Sequence, residues 1–221
     1  MVDVVVFGAL AASEVATVYL EAHSEHRVVG YTVDAAYRRG DEFLGRPLVD
    51  WETLEQHYPP DQVRLFGPIS YRRLNQLRRD RYYEGKARGY GFISFVHPSV
   101  ETLGVQIGDN CFICGGVLIE PCTRIGDNVM IWSRAHIGHH AVIGDHCFIG
   151  PDVGIGGFCK IGELSFFGPK ADVMPGVSVG RSCFFGARAA IRENAADGSV
   201  FPGGDVTPKA AYGSDRLVRH V

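Results

Sequence analysis

Ile137-Gly138-His139-His140-Ala141-Val142-Ile143-Gly144-Asp145-His146-Cys147-Phe148-Ile149-Gly150 contains the rule that decides the fold. An apolar anchor recurs every sixth residue, glycine often follows it, and a small or β-branched residue sits four places on. Worked outward, the register starts at Ile107 and runs through Ile113, Ile119, Ile125, Ile131, Ile137, Ile143, Ile149, Ile155, Ile161, Phe167, Val173, Val179, Phe185 and Ile191, which makes fifteen anchors. The fourth place after the first fourteen holds Cys111, Val117, Thr123, Val129, Ala135, Ala141, Cys147, Val153, Cys159, Ser165, Ala171, Val177, Cys183 and Ala189. A period of six suits neither a helix nor a free strand; it suits a parallel β-helix of three short faces per coil, with the anchor inward and the small residue in the corner. Residues eighteen apart then stack at roughly the 4.8 Å spacing of neighbouring strands, and no coil buries its anchors without the next. Fifteen hexapeptides make five coils with no inserted loop. Periodicity leaves the hand open, since parallel crossovers are ordinarily right-handed.

Upstream the pattern changes. The apolar run Val2 to Phe7 stops at Gly8, a helix is expected over Ala11 to Ala22 with Ser13 at or near its cap, and a second apolar strand, Val28 to Val33, ends at Asp34. This is the start of a doubly wound β-α-β unit. Helices near Trp51 to His57 and Ser70 to Lys86, and strands at Gln62 to Phe66 and Phe92 to Val96, complete an α/β Rossmann-like domain over residues 1–97. Such a unit receives phosphate at its first strand-to-helix turn, but of G-x-G-x-x-G only Gly8 remains in Gly8-Ala-Leu-Ala-Ala-Ser13. Gly8, Ser13 and Asp34 are the candidate substrate-binding residues, Asp34 as a ribose ligand or else as a plain turn residue. The β-helix is expected over residues 98–196. Residues 197–221, rich in Gly and Pro, read as a loop-rich tail able to cap the last coil, with the closing residues least ordered.

Composition narrows the class of function. The 221 residues carry a net charge of −3 with acids and bases interspersed, so there is no basic stripe for nucleic acid or an acidic membrane. No apolar run is long enough to span a bilayer, and the first residues form no leader, which reads as cytoplasmic. Six cysteines include one CxxC, Cys111 and Cys114, but four of the six occupy the small corner place and no second pair completes a zinc set. They are expected to be packing thiols, and no metal site is expected. Asp109, Asp127, Asp145 and Glu163, eighteen apart after glycine, read as turn formers.

Four of the nine histidines, His136, His139, His140 and His146, crowd into one coil, and none is an anchor. They are expected at corners or outside the prism, open to solvent, a partner or a ligand. A Rossmann-like domain, a His97-Pro98-Ser99 junction and hexapeptide coils together resemble the sugar acyltransferases of the sialic acid O-acetyltransferase and bacillosamine N-acetyltransferase type. The resemblance spans nearly the whole chain. It implies a left-handed β-helix, a homotrimer, acetyl-CoA as acyl donor, and an amino or hydroxyl group of a sugar or nucleotide sugar as acceptor. In that family a histidine followed by an acidic residue precedes Val-Ile-Gly-Asp/Glu. The matching residues are His139, the implied catalytic base, and His140, which stands where the acid would be.

Gly157, one coil beyond His139, could offer its N–H to a thioester carbonyl, and the resemblance places Pro169 and Ala187 along an acetyl-CoA groove between subunits. A second family histidine is replaced by Phe148 and an upstream asparagine by Trp132. Two other readings remain: a non-catalytic trimeric β-helix scaffold or sensor, and a γ-class carbonic anhydrase with zinc on three histidines across a trimer interface. Outward Met130, Trp132, Phe148, Phe158 and Phe166 are expected to supply the trimer contacts.

Overall fold

The computed structural model describes residues 1–204; the closing residues of the tail, whose order the sequence reading addressed, lie outside them. The N-terminal domain runs β1 (Asp3–Phe7), α1 (Ala11–His23), β2 (Arg27–Val33), β3 (Glu42–Phe43), β4 (Arg46–Asp50), α2 (Leu54–His57), β5 (Arg64–Phe66), α3 (Gln76–Ala87) and β6 (Gly91–Phe92). They form one sheet in the order β3-β4-β2-β1-β5-β6, parallel except for the β3–β4 pair. Val4, Val5, Val6 and Leu65 are fully buried or nearly so, as continuous apolar strands covered on both faces must be.

Two readings at this end are corrected. Ser13 does not cap α1; Leu10 holds that place without a side-chain cap, and Ser13 lies buried inside the first turn. The run Phe92 to Val96 is not one strand. Gly91–Phe92 pairs with β5, whereas Phe95–Val96 pairs with Phe112–Ile113 in the β-helix, so the chain changes sheets at Ile93–Ser94.

From Phe95 on, the chain winds as a left-handed parallel β-helix with three faces. The first face stacks the two-residue strands that end at Ile119, Ile137, Ile155, Val173 and Ile191; the second, those that end at Ile107, Ile125, Ile143, Ile161 and Val179. The third has seven strands, from Phe95–Val96 to Val200–Phe201. Partners are eighteen residues apart along the ladders, and Ile137, Ile149 and Ile155 have no exposure. Each such anchor contributes roughly 2 kcal/mol of burial. The coil outlasts the six-residue rhythm: Ala195 bridges to Val179 and Phe201 pairs beneath Phe185, because the corner after Ile191 is two residues shorter. The expected loop at Val200–Phe201 is therefore a strand.

The corners explain the rest of the repeat. The third residue after each anchor from Ile107 to Phe185 is left-handed, for example Asn128 at φ 58°, His140 at 59° and Phe158 at 61°. The glycine just after the anchor serves close approach instead: a Cβ on Gly138 would meet the backbone of Gly156 and Gly157 one coil on. The small fourth residue is a hydrogen-bond donor where chemistry allows. Cys111, Cys147 and Cys159 direct Sγ at the carbonyls of Gly126, Gly162 and Met174 (3.1, 3.3 and 3.1 Å), as Thr123 and Ser165 direct their hydroxyls at those of Gly138 and Gly180. Burial pushes the thiols of Cys111 and Cys147 up to about 12, and all six cysteines are free.

The N-terminal domain covers the third face. Phe112, Met130, Phe148 and Phe166 lie under Val6, Leu20, Phe66 and Tyr71 in one apolar cluster. Met130, Phe148 and Phe166 are therefore not available for contacts between subunits, as the sequence reading had them; of that group Phe158 is exposed, at 57%. α3 is fixed by Arg78, which is fully buried and donates to the carbonyls of Asn128 (3.1 Å), His146 (2.8 Å), Cys147 (3.0 Å), Ile69 and Ser70 and to Asn75 Oδ1. No carboxylate is among those partners, and burial pushes the guanidinium down to about 10. Asn75, left-handed itself, adds bonds to the carbonyls of Leu164 and Ser165.

Candidate active site

Three of the four clustered histidines share the corner between the first and second faces or the strand leading to it. His136 ends outward on the first face, and His139 and His140 form the turn; all three are exposed. His146 departs from the expectation. It sits at the next corner, beneath α3, with no exposure. Its Nδ1 accepts from Asn128 Nδ2 (2.9 Å), so its Nε2–H faces the Tyr83 hydroxyl (3.2 Å). Burial first, then Arg78 and Arg79, push it down to about 4, so it is a neutral structural residue. A hexapeptide pattern distinguishes inward from outward, but it carries no information about which corner a separate domain will cover.

At the open corner His139 lies flat against Gly157. A Cβ on Gly157 would stand 3.0 Å from Cε1, 3.1 Å from Nε2 and 3.3 Å from Nδ1 of the ring, so glycine is what leaves the ring its place. The neighbouring Phe158 N–H is tied to the His139 carbonyl at 2.9 Å, while among the described residues the Gly157 N–H meets no acceptor. His139 Nδ1 lies 3.2 Å from His140 Nδ1. One of the two must carry the proton and the other accept it. His140 is stacked on Phe158 (centroids 4.9 Å apart, 19°), and Phe158 also meets His139 edge-on. Sequence reasoning missed Glu120. Its carboxylate accepts the His139 main-chain N–H (2.7 Å) and the His136 Nε2–H (3.0 Å), and those bonds hold it below the usual carboxylate range. It was visible in the sequence as the one acidic side chain directly after an anchor.

The other candidates fall elsewhere. Pro169 and Ala187 are exposed and one coil apart, but at the corner between the third and first faces, a full face away from Gly157. Gly8 is at φ 125° and packs against the Ser13 side chain, so any side chain there would collide. Asp34, at the end of β2, is held by Arg81 through two bonds of 2.7 and 2.8 Å; Arg81 in turn meets Glu84, which accepts from Trp51 Nε1. Trp132 and Phe148, where the family has polar residues, belong to the covered third face. An open groove of about 320 Å³ adjoins His140, lined by Gln106, Cys122, Arg124 and Val142 among others. Among the described residues no three His, Cys, Asp or Glu side chains come together to hold a metal ion, and no helix is long and apolar enough to cross a membrane. The Asp column behaves as turn chemistry: Asp127 accepts the Asp109 N–H (2.7 Å) and Asp145 accepts that of Asp127 (2.8 Å).

Comparison with known proteins agrees with this geometry. Residues 122–157 match the model of the bacterial transferase hexapeptide (six repeats), and residues 99–121 that of the hexapeptide repeat of succinyl-transferase. No curated protein matches the sequence. Among solved structures, PerB from Caulobacter crescentus, in complex with CoA and GDP-perosamine, superposes with a TM-score of 0.83 at 25% identity, over 94% of this chain and 97% of that one. That perosamine N-acetyltransferase was also crystallised with the same two ligands after one histidine was replaced by asparagine or by alanine. The acetyltransferase domain of PglB from Neisseria gonorrhoeae (TM-score 0.80, 21% identity, 94% and 100% covered) and WeeI from Acinetobacter baumannii (0.77, 15%, 94% and 100%) share the fold.

The repeat, the prism and the open histidine corner define a hexapeptide-repeat acyltransferase. Within that class the chain resembles the sugar acyltransferases in which a Rossmann-like domain precedes the coils, PerB at 25% identity among them.

Proposed function

We propose that this chain transfers an acetyl group from acetyl-CoA to an amino or hydroxyl group of a nucleotide-linked sugar, with His139 as general base. The observation that carries the reading is the His139 ring lying against Gly157, whose N–H has no acceptor among the described residues. With its Nδ1–H donated to His140, His139 presents a bare Nε2 to the attacking group and takes its proton as the new N–C or O–C bond forms. The Gly157 N–H receives the negative charge that develops on the thioester oxygen; collapse of that intermediate expels the CoA thiolate. The CoA and GDP-perosamine bound to PerB support both the donor and the kind of acceptor.

The nucleotide is assigned to the crevice at the ends of β1 and β2, by the Gly8 turn and the first turn of α1. Ser13, buried against Gly8, shapes that turn rather than meeting the ligand, and Asp34 would be presented with Arg81 as its partner. The active unit is a homotrimer. Gly157 stands at one corner and Pro169 and Ala187 at another, so a second prism must bring the complementary corner to the donor. Exposed Leu118, Val142, Phe158 and Met174 surround the His139 corner and supply the apolar contact. The test is release of CoA thiol from acetyl-CoA with a panel of nucleotide amino sugars, wild type against His139→Ala, alongside sedimentation velocity. Absence of acetyl-CoA binding by titration calorimetry, or a monomer at micromolar concentration, would overturn the reading.

A further inference from the structure

The base at this corner lacks the acidic neighbour that the family places after it, since His140 occupies that position. A nearby carboxylate does exist, one coil back. Glu120 takes the place after its anchor that glycine fills at Gly138 and Gly156 in the two following coils. Its side chain reaches forward to the next coil and makes two charge-assisted contacts, at 2.7 Å to the main-chain N–H of His139 and at 3.0 Å to Nε2 of His136. The first fixes the turn in which His140 is held left-handed and the His139 ring is laid on Gly157. The second uses the other carboxylate oxygen, so the two donors hold the group from both sides. The charged and titratable groups around it are His136, His139 and His140, with Arg124 and Cys122 in the groove beside His140.

We infer that Glu120 is the positioning carboxylate of this site: it holds His139 by its main chain and places the nearest negative charge beside the imidazolium that forms when the base takes its proton. This rests on the reading of His139 as the base. An amide replaces it only in part: Gln can accept the His139 N–H but turns its NH2 toward His136, which can meet it only as the Nδ1–H tautomer, and the negative charge is lost.

The experiment is Glu120→Gln in the full chain, read by steady-state kinetics and by long-range 1H–15N spectra of the histidine rings. The expected kinetic result is a fall in kcat on the order of tenfold or more, with the KM for acetyl-CoA and the melting temperature nearly unchanged. In the spectra the His136 ring, held as Nε2–H by the carboxylate, should lose that single tautomer. His136→Ala leaves the Glu120 to His139 bond in place and should cost less than about threefold. The inference is overturned if Glu120→Gln keeps kcat within twofold of wild type while His139→Ala abolishes it, if the His136 tautomer does not change, or if His136→Ala costs as much as Glu120→Gln. Loss of the base reading itself would show separately, as undiminished turnover in His139→Ala, and the spectra would still decide the role of Glu120.

Discussion

Replacing Gly157 by alanine separates the site from the fold. The backbone there is not left-handed, so alanine is tolerated, and the main-chain N–H assigned to the thioester oxygen is kept. What changes is room. The new Cβ would stand 3.0 to 3.3 Å from three ring atoms of His139, against an ordinary contact of about 3.5–4.0 Å. The ring must therefore move by about 0.5 Å. Since a misplacement of about 1 Å costs on the order of a hundredfold, Gly157→Ala should lower kcat by about tenfold. Steady-state kinetics with varied acetyl-CoA, paired with a thermal melt, make the measurement: the melting temperature should hold within a few degrees while kcat falls. Unchanged kcat in a folded protein would refute the stacking of base on glycine as the catalytic geometry.

His139→Ala should lower turnover by on the order of a hundredfold or more with acetyl-CoA still bound, and His140→Ala should do less, both read by kcat and calorimetry. Arg78→Met strips charge-assisted bonds from carbonyls buried between the domains. It should cost about 3–5 kcal/mol and lower the melting temperature by roughly 10 °C, as calorimetric scanning would show. Cys147→Ser, which keeps a donor toward the Gly162 carbonyl, should cost less in a urea midpoint than Cys147→Ala, by about 1 kcal/mol. His146 is held neutral by burial. The unfolded chain therefore binds a proton below about 6.5 that the folded chain refuses until about 4, and stability should decline as pH falls through that window. His146→Asn, which extends the Asn110–Asn128 column, should flatten the decline in urea midpoints between pH 7 and pH 5.

The anchors made the prism legible because each inward place admits only an apolar side chain, and the period of six has no competing structure. The left-handed third place was not legible, because Asn128, His140, Phe158 and Lys170 all adopt it and have nothing else in common. Phe112, Met130, Phe148, Phe166 and Phe184, eighteen apart and all outward, were a readable sign that something covers that face, but not of what covers it. His139 was marked by the motif that carries the resemblance, and Gly157 by stacking arithmetic, one coil of eighteen residues on. The burial of His146 follows from Arg78 and Tyr83, which arrive from more than sixty residues away and leave no local signature. Glu120 escaped for a similar reason: its partners lie sixteen and nineteen residues on, a separation that neither a motif nor a face of one element reveals.

The third face lies under the N-terminal domain, and the His139 corner is the edge of the triangular prism opposite that face. The domain cannot swing around to it, because Asn110, Arg78 and Asn75 rivet it to successive coils through Gly67, Asn128, Cys147 and Ser165. A sugar held in the proposed crevice of one chain would thus be separated from that chain's own histidine by the prism, and in the proposed trimer a neighbour's histidine would have to meet it. Two crippled proteins, one altered at Asp34 and the other at His139, should consequently complement each other: mixed and reassembled, they would form trimers in which an intact crevice faces an intact base, and activity would return where neither parent has any.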